Sequence, residues 1–119
     1  MAEPLLIDPQ TIENLRQLNP GDNDEFLREI VGIYFEDTPR RIVELEQSLT
    51  TGDQAKFTRA AHSVKGSSAN VGAMAVRAVA EQLEHKSRHG LVEVTGLIAA
   101  LKAELARAQA EFDRLLPPR

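Results

Sequence analysis

Apolar residues recur every three or four positions along the last part of the chain, and this spacing constrains the fold more than any other feature. Steps of three and four place side chains on one face of an α-helix and are typical of the seam of a helical bundle. No competing stretch alternates polar and β-branched residues as a strand does. We therefore predict an all-α fold. The repeat consists of Val94, Leu97 or Ile98, Leu101, Leu105, Ala108, Phe112 and Leu115.

Capping signals predict two helices in the first half of the chain. The first begins at Asp8, whose carboxylate can cap free amides ahead of Pro9, and ends near Leu18. The second begins at Asp22 and carries an interruption at Pro39, where a kink or a break is expected because proline lacks an amide hydrogen. The apolar positions of the second helix are Leu27, Ile30, Val31, Tyr34, Ile42, Leu45 and Leu49.

Two more helices lie between these and the C-terminal repeat. The segment 51–53 reads as a stop followed by a new N-cap at Asp53. The third helix runs to about Ala69, and the fourth runs from about Gly72 to His89. Short connections force neighbouring helices to be antiparallel, as in an up-down bundle. These connections fall at residues 51–53, 70–72 and 90–92.

Length and composition exclude several classes of protein. A chain of 119 residues forms one domain, 1–119, with a core from about residue 8 to residue 116. The net charge of -4 argues against nucleic acid as a partner, and the lack of cysteine excludes disulfides and thiolate zinc sites. No segment has the basic flank of a signal peptide or the roughly 20 apolar residues of a membrane span. We expect a soluble, cytoplasmic domain.

The third helix presents a histidine on the face opposite its core. On a helical wheel, His62 lies about 140 degrees from Phe57 and projects outward, with Lys65 and Gly66 on the next turn. A glycine inside a helix costs up to about 1 kcal/mol relative to alanine, so a side chain at 66 would obstruct something. Alternatively, Gly66 marks the helix end and His62 is an ordinary surface histidine. The predicted core positions are Phe57, Ala60, Ala61, Val64, Ser68 and Val71.

The charge pattern around His62 favours an anionic group. Residues 54–80 contain no acid but carry four bases, so a locally positive field is predicted. A neutral imidazole is a competent nucleophile at pH 7 without a separate base. Among transferable groups phosphoryl fits best, because its transfer depends on positioning and on charge stabilisation by a group such as Lys65. The four bases are Lys56, Arg59, Lys65 and Arg77.

The stretch Ala61–Ala73 resembles the motif of histidine phosphotransfer (HPt) domains, which is His-x-hydrophobic-Lys-Gly-small-small followed by Gly-Ala. Ile33–Pro39 resembles the family's "F-x-E-x-x-P" stretch, Gly52-Asp53 precedes the histidine helix, and Leu83-Glu84 resembles its Leu-Glu pair. The resemblance extends from about Ile12 to Phe112. One departure, Val64 where leucine is commoner, changes only an apolar contact.

This resemblance implies a four-helix up-down bundle with an additional short N-terminal helix. It also implies that His62 accepts a phosphoryl group from a receiver-domain aspartyl phosphate and passes it to another response-regulator aspartate. Lys65 would stabilise the phosphoryl oxygens and Gly66 would give clearance to the partner. The domain would be a monomeric phosphocarrier rather than an enzyme, without a cofactor or metal of its own.

The implied partners are response-regulator receiver domains and a hybrid histidine kinase. A longer parent chain could itself be a hybrid kinase, and this domain would then form the cytoplasmic end of that membrane-anchored protein. The receiver would supply the Mg²⁺. Phe35 and Leu27 would add apolar contacts, although both fit a core equally well. The other residues expected to border the docking surface are Ser63, Ser67, Ala69, Asn70 and Arg59.

Other interpretations explain less of the sequence. His85 and His89, with Glu81 one turn earlier, have a spacing that could hold a metal, but cations at a helix end are ordinary dipole partners. Lys65-Gly66-Ser67-Ser68 has the wrong order for a nucleotide-binding P-loop, and no nucleophile elbow accompanies His62 for a hydrolase. The serious alternative is a helical module of HPt-like fold that binds its partner without covalent chemistry.

Overall fold

The computed structural model describes residues 4–118, which fold into five α-helices. Outside the helices, the only pairing of extended backbone within those residues is one isolated bridge between Ile7 and Ala73. The predicted all-α class is thus confirmed. The helices are α1 (Pro9–Leu18), α2 (Glu25–Thr51), α3 (Gln54–Val71), α4 (Met74–Ser87) and α5 (Thr95–Leu115).

Helices α2 to α5 form a four-helix bundle, with α1 as the additional N-terminal helix. Each of the four packs against the next, α5 returns to α2, and α1 lies on α2 and α3. The core is mostly aliphatic and includes Phe57, Leu45, Leu83 and Leu101, all fully buried. Across residues 4–118, no helix combines the length and apolarity needed to cross a bilayer.

The start of α1 agrees with its prediction, whereas α2 begins later than predicted. Asp8 caps α1 by accepting a hydrogen bond from the amide of Gln10. Asn23 and Asp24 have φ values of 59° and 63°, a left-handed backbone that cannot continue a right-handed helix. The start predicted at Asp22 is therefore wrong, and its carboxylate instead accepts from the amide of Phe26 at 3.0 Å.

Helix α2 continues through Pro39 for 27 residues. The break considered from the sequence does not occur, although proline removes one backbone bond. Tyr34 and Ile42, on either side of the proline, are both buried in the same core. Pro39 itself is exposed, so its ring occupies the solvent face. Packing of both halves on one core therefore outweighs the lost hydrogen bond.

The turn between α3 and α4 is fixed by the segment that precedes α1. Gly72 is buried in a left-handed conformation, with φ 78°, and ends α3 after Val71. The Asp8 amide donates to the Gly72 carbonyl at 2.8 Å, and the Met74 amide donates to the Leu6 carbonyl at 3.1 Å. Helix α4 consequently begins later than the sequence predicts, at Met74, and it also ends earlier, at Ser87.

Candidate functional site

Helix α3 places His62 on its solvent face, half-way along its length. The His62 side chain is 67% exposed. The opposite face of α3 is in the core, and its buried residues are the six that the helical wheel predicts. The sequence therefore correctly separates the two faces. Phe57, Ala60, Ala61, Val64, Ser68 and Val71 form the buried face.

A buried carboxylate from α4, Glu84, lies directly beneath His62. Glu84 Oε2 is 2.7 Å from His62 Nδ1 and 3.0 Å from Arg88 Nη2. Its other oxygen, Oε1, is 2.6 Å from Lys65 Nζ. Only 5% of the Glu84 side chain is exposed. The structure thus gathers three basic side chains around one interior carboxylate.

This arrangement corrects the prediction of a purely positive field around His62. Residues 54–80 contain no acid, but the fold brings Glu84 from outside that stretch into contact with both His62 and Lys65. Burial by itself would raise the pKa of Glu84, yet the hydrogen bonds from Lys65 and His62 outweigh it and hold the pKa below the ordinary value of 4.5. Glu84 is therefore ionised at neutral pH.

The register between α3 and α4 sets the contact between His62 and Glu84. Ser87, one turn after Glu84, is buried and bonds to α3 twice. Its hydroxyl lies 2.7 Å from the Thr58 hydroxyl, and its carbonyl accepts from Gln54 Nε2 at 2.6 Å. These bonds hold the C-terminal turn of α4 against the first half of α3, so the carboxylate cannot slide away from the histidine.

The Glu84 carboxylate determines which ring nitrogen of neutral His62 carries the hydrogen. An ionised carboxylate can only accept hydrogen bonds, so Nδ1 of neutral His62 carries the hydrogen and donates it to Glu84. Nε2 then keeps its lone pair. The site consequently presents an unprotonated ring nitrogen, with the ring orientation fixed from below.

Lys65 and Gly66 occupy different environments. The Lys65 side chain is only 25% exposed, because its ammonium pairs with Glu84 rather than extending into solvent. Gly66 lies within α3, and a Cβ built there meets no atom within 4 Å outside the local helix backbone. The alternative that Gly66 marks the helix end is wrong, because α3 continues for five residues to Val71.

Most of the predicted docking residues lie beside His62 on α3. Ser63 and Asn70 are exposed, whereas Ser67 and Ala69 are half-buried. Ser67 Oγ donates to a backbone carbonyl of its own helix at 3.3 Å. Arg59 is exposed one turn before His62. Together with His62 and Gly66, these residues form a continuous polar and small-residue stripe along α3.

The two apolar candidates for docking are not part of that stripe. Leu27 is 1% exposed and belongs to the core, as its alternative interpretation holds. Phe35 is half-buried, with its ring 4.9 Å from that of Tyr34 and 5.7 Å from that of Phe112. Phe35 therefore packs in the seam between α2 and α5.

An open groove of about 830 Å³ begins at His62 and runs between α3 and α4. Two arginines, Arg59 from α3 and Arg88 from α4, line it together with the imidazole. The Arg88 side chain is 60% exposed although it contacts Glu84. Glu84 lines it as well. The groove thus places two arginines beside the exposed histidine, where they suit an anionic group.

The second histidine pair does not assemble a metal site. The His85 and His89 rings lie 5.4 Å apart, while Glu81 is near Arg77, at 4.0 Å. Within residues 4–118, no group of three or more histidine, aspartate or glutamate side chains could hold a metal ion.

Comparison with known proteins identifies the family. The family model described as the Hpt domain matches residues 29–111, which include α3 and Glu84. The chain belongs to the Hpt domain family. Phosphotransfer is the function that this membership gives the chain, and His62, Lys65 and Gly66 lie within the matched segment.

Relatives of this Hpt domain occur in yeast and plants. Multistep phosphorelay regulator 1 of Schizosaccharomyces pombe is 32% identical over 93 residues, which cover 75% of the chain and 32% of that protein. Histidine-containing phosphotransfer protein 4 of Arabidopsis thaliana is 33% identical over 89 residues, which cover 73% of the chain and 69% of that protein. The chain therefore spans about a third of the yeast relative's length.

A solved structure shares the whole fold. Histidine-containing phosphotransfer protein B of Pseudomonas aeruginosa PAO1 superposes with a TM-score of 0.82 at 25% sequence identity. The superposition covers 92% of each chain. The shared fold accordingly extends over most of the chain.

Proposed function

We propose that His62 of this Hpt domain accepts a phosphoryl group on Nε2 from a receiver-domain aspartyl phosphate and donates it to the aspartate of another receiver. The observation that carries the proposal is the bond from His62 Nδ1 to the buried Glu84 carboxylate, at 2.7 Å. This bond leaves Nε2 unprotonated on a side chain that is 67% exposed. A phosphocarrier requires such a nucleophile and no catalytic base.

The transfer step balances without an added base. The Nε2 lone pair attacks phosphorus, the Nε2–P bond forms, and the bond from phosphorus to the aspartyl oxygen breaks. The receiver's carboxylate leaves with the electron pair of that bond. Nδ1 of His62 keeps its hydrogen, which remains hydrogen-bonded to Glu84. The ring gains a positive charge that the neighbouring carboxylate stabilises. Reversal of these steps delivers the group to the next receiver.

The residues around His62 have separate roles in this proposal. Lys65 supplies positive charge to the phosphoryl oxygens, and Gly66 leaves room for the receiver's loops over the helix. Exposed Ser63, Asn70 and Arg59 border the docking surface. The Mg²⁺ ion that would neutralise the charge of the phosphoryl group during transfer belongs to the receiver's acidic pocket. This domain contributes the nucleophile and the surface.

The biological setting is part of the proposal. The domain acts as a monomeric phosphocarrier in the cytoplasm, without enzymatic turnover of its own. Its donor is the receiver of a hybrid histidine kinase, and its acceptor is a response regulator. The names of the yeast and Arabidopsis relatives, a multistep phosphorelay regulator and a histidine-containing phosphotransfer protein, support this setting.

The test is phosphorylation of the purified domain by labelled phospho-receivers from the same organism. The wild type should acquire an acid-labile, alkali-stable label, and His62→Gln should acquire none. His85→Gln is the matched control, since it removes another exposed histidine and should label normally. If wild type stays unlabelled by every receiver, or His62→Gln labels equally, the domain is a non-covalent binding module.

A further inference from the structure

Two of the basic groups beside His62, Lys65 and Arg88, are already engaged by Glu84. Lys65 pairs with Oε1 of the carboxylate, while His62 and Arg88 share Oε2. Two donors on one oxygen place the Arg88 guanidinium beside the imidazole ring. The resting site is thus a cluster in which one buried negative charge holds the cations nearest to the nucleophile.

A phosphoryl group on Nε2 would need the same cations. It brings two negative charges, and Lys65 and Arg88 are the bases adjoining His62 through Glu84. Lys65 has three donors and Arg88 has five, so both can turn additional donors towards the phosphoryl oxygens. Any donor moved to the phosphoryl group weakens the compensation of Glu84. A desolvated carboxylate is costly when it loses its partners.

We propose that Glu84 competes with the phosphoryl group for Lys65 and Arg88, and that this competition raises the phosphoryl-transfer potential of His62. The inference rests on the proposed function and concerns how firmly the phosphoryl group is held. Glu84 acts here as a positioning residue. It orients the histidine for attack and keeps the phosphorylated state from becoming too stable to pass its group onward.

The charges at the site determine whether Glu84 stabilises or destabilises the phosphohistidine. Phosphorylation of the neutral ring adds a net negative charge to a site that already contains an ionised carboxylate. The favourable contact between Glu84 and the Nδ1 hydrogen offsets this repulsion only in part, because the same carboxylate also holds Lys65 and Arg88. Removing the charge at position 84 should therefore stabilise the phosphohistidine.

Glu84→Gln separates charge from orientation. Glutamine keeps the size of the side chain, and its carbonyl oxygen can still accept from Nδ1. The variant therefore preserves the orientation of the ring while releasing Lys65 and Arg88. The matched control is Glu81→Gln, which removes an exposed carboxylate from the same helix without touching the cluster.

The experiment measures a reversible exchange with a small donor, N-phosphoimidazole. The donor reacts with its second ring nitrogen protonated. Its P–N bond breaks with the electron pair returning to nitrogen, the Nε2–P bond of His62 forms, and neutral imidazole is released. Phosphorus NMR at mildly alkaline pH gives the equilibrium constant for this exchange. We expect Glu84→Gln to raise that constant roughly tenfold, since it removes one like charge near the dianion, and Glu81→Gln to leave it unchanged.

The outcomes separate the two proposals. An unchanged or lowered constant in a folded Glu84→Gln variant would overturn the competition. Absence of phosphohistidine in the wild type itself would instead overturn the proposed function. If Glu84→Gln does not fold, Arg88→Gln provides the test, because Arg88 is exposed and Glu84 still keeps Lys65 and His62 as partners when it is lost. The constant should then fall several-fold, and an unchanged value would contradict the proposal.

Discussion

At the scale of single residues, His62 divides its two ring nitrogens between the interior and the solvent. Nδ1 is bonded to a carboxylate that is 5% exposed, while the side chain as a whole is 67% exposed. A buried acid of this kind stays in place because Lys65 and Arg88 also satisfy it. The imidazole is thus oriented by groups of its own chain before a partner arrives.

Gly66 offers a direct test of partner clearance. A Cβ at position 66 meets open space, and α3 is regular on both sides of it. We expect Gly66→Leu to fold and to be stabilised by up to about 1 kcal/mol, since glycine is a poor helix former. Its phosphorylation by N-phosphoimidazole should be normal, whereas transfer from a receiver should slow at least tenfold because the leucine obstructs docking.

Gly32→Leu is the matched control for that variant. Gly32 is also exposed within a helix and would meet no atom within 4 Å, but it lies on α2 away from the α3 stripe. This variant should transfer normally. Equal rates for Gly66→Leu and wild type would show that the glycine has no part in receiver access, and a lower melting temperature would make it structural.

The sequence predicts the faces of α3 but not the partner of its histidine. Phe57 and His62 separate on a helical wheel because both belong to one regular helix. Glu84 lies 22 positions after His62, and their contact depends on the register between two antiparallel helices. The available signal is an acid at a buried position of α4, beside Leu83 and one turn before Ser87. Periodicity by itself does not place that acid under the histidine.

At the scale of elements, the α3–α4 turn shows how one glycine fixes the fold. Gly72 has φ 78°, and a Cβ there would lie 3.0 Å from Thr11 Cβ and 3.3 Å from the Asp8 carbonyl oxygen. We expect Gly72→Ala to destabilise the domain by about 2–4 kcal/mol, through left-handed strain and displacement of the segment before α1. Urea unfolding monitored by circular dichroism would measure this change.

Gly52→Ala separates the backbone strain from the displacement of the segment before α1. Gly52 ends α2 with φ 73°, but a Cβ there would meet nothing within 4 Å. Its substitution should cost only the backbone strain, about 1–2 kcal/mol. Equal losses for the two variants would show that the contact between Gly72 and Thr11 contributes nothing to stability.

The limits of helix α2 cannot be predicted from local capping and proline signals in the sequence. Its later start follows from the left-handed Asn23 and Asp24, which side-chain type permits but does not require. Its continuity through Pro39 follows from burial of Tyr34 and Ile42 on one core. The first result rests on a backbone conformation that the residue types leave open and the second on tertiary packing, so cap and proline rules predict the existence of the helix better than its limits.

At the scale of the whole molecule, Tyr34 ties α2 to α3 and makes stability depend on alkaline pH. Its hydroxyl lies 2.7 Å from Ser68 Oγ, and burial raises its pKa from 10.0 to about 12. A raised pKa means that this stabilisation is complete below pH 10 and is lost as pH rises towards 12. Because Tyr34 is the single tyrosine of the chain, tyrosinate absorbance reports its ionisation directly.

We expect the tyrosinate signal to appear together with loss of helical circular dichroism. Tyr34→Phe should weaken the dependence of stability on alkaline pH, since it removes the ionising hydroxyl. Ionisation near pH 10 in a fully helical protein would show that the pKa of Tyr34 is not raised in the folded state.

The two ends of the described chain meet at one pole of the bundle. Leu6 pairs with the α3–α4 turn, Leu116 accepts a hydrogen bond from Arg28 near the start of α2, and Ile7 and Leu115 line a common cavity. His62 lies half-way up the side of the bundle, at a distance from that pole. If a linker were attached at either end, rotation of the domain about that pole would change the position of His62 relative to the protein to which the linker is joined. Linker length would then set the effective concentration of His62 at a tethered partner.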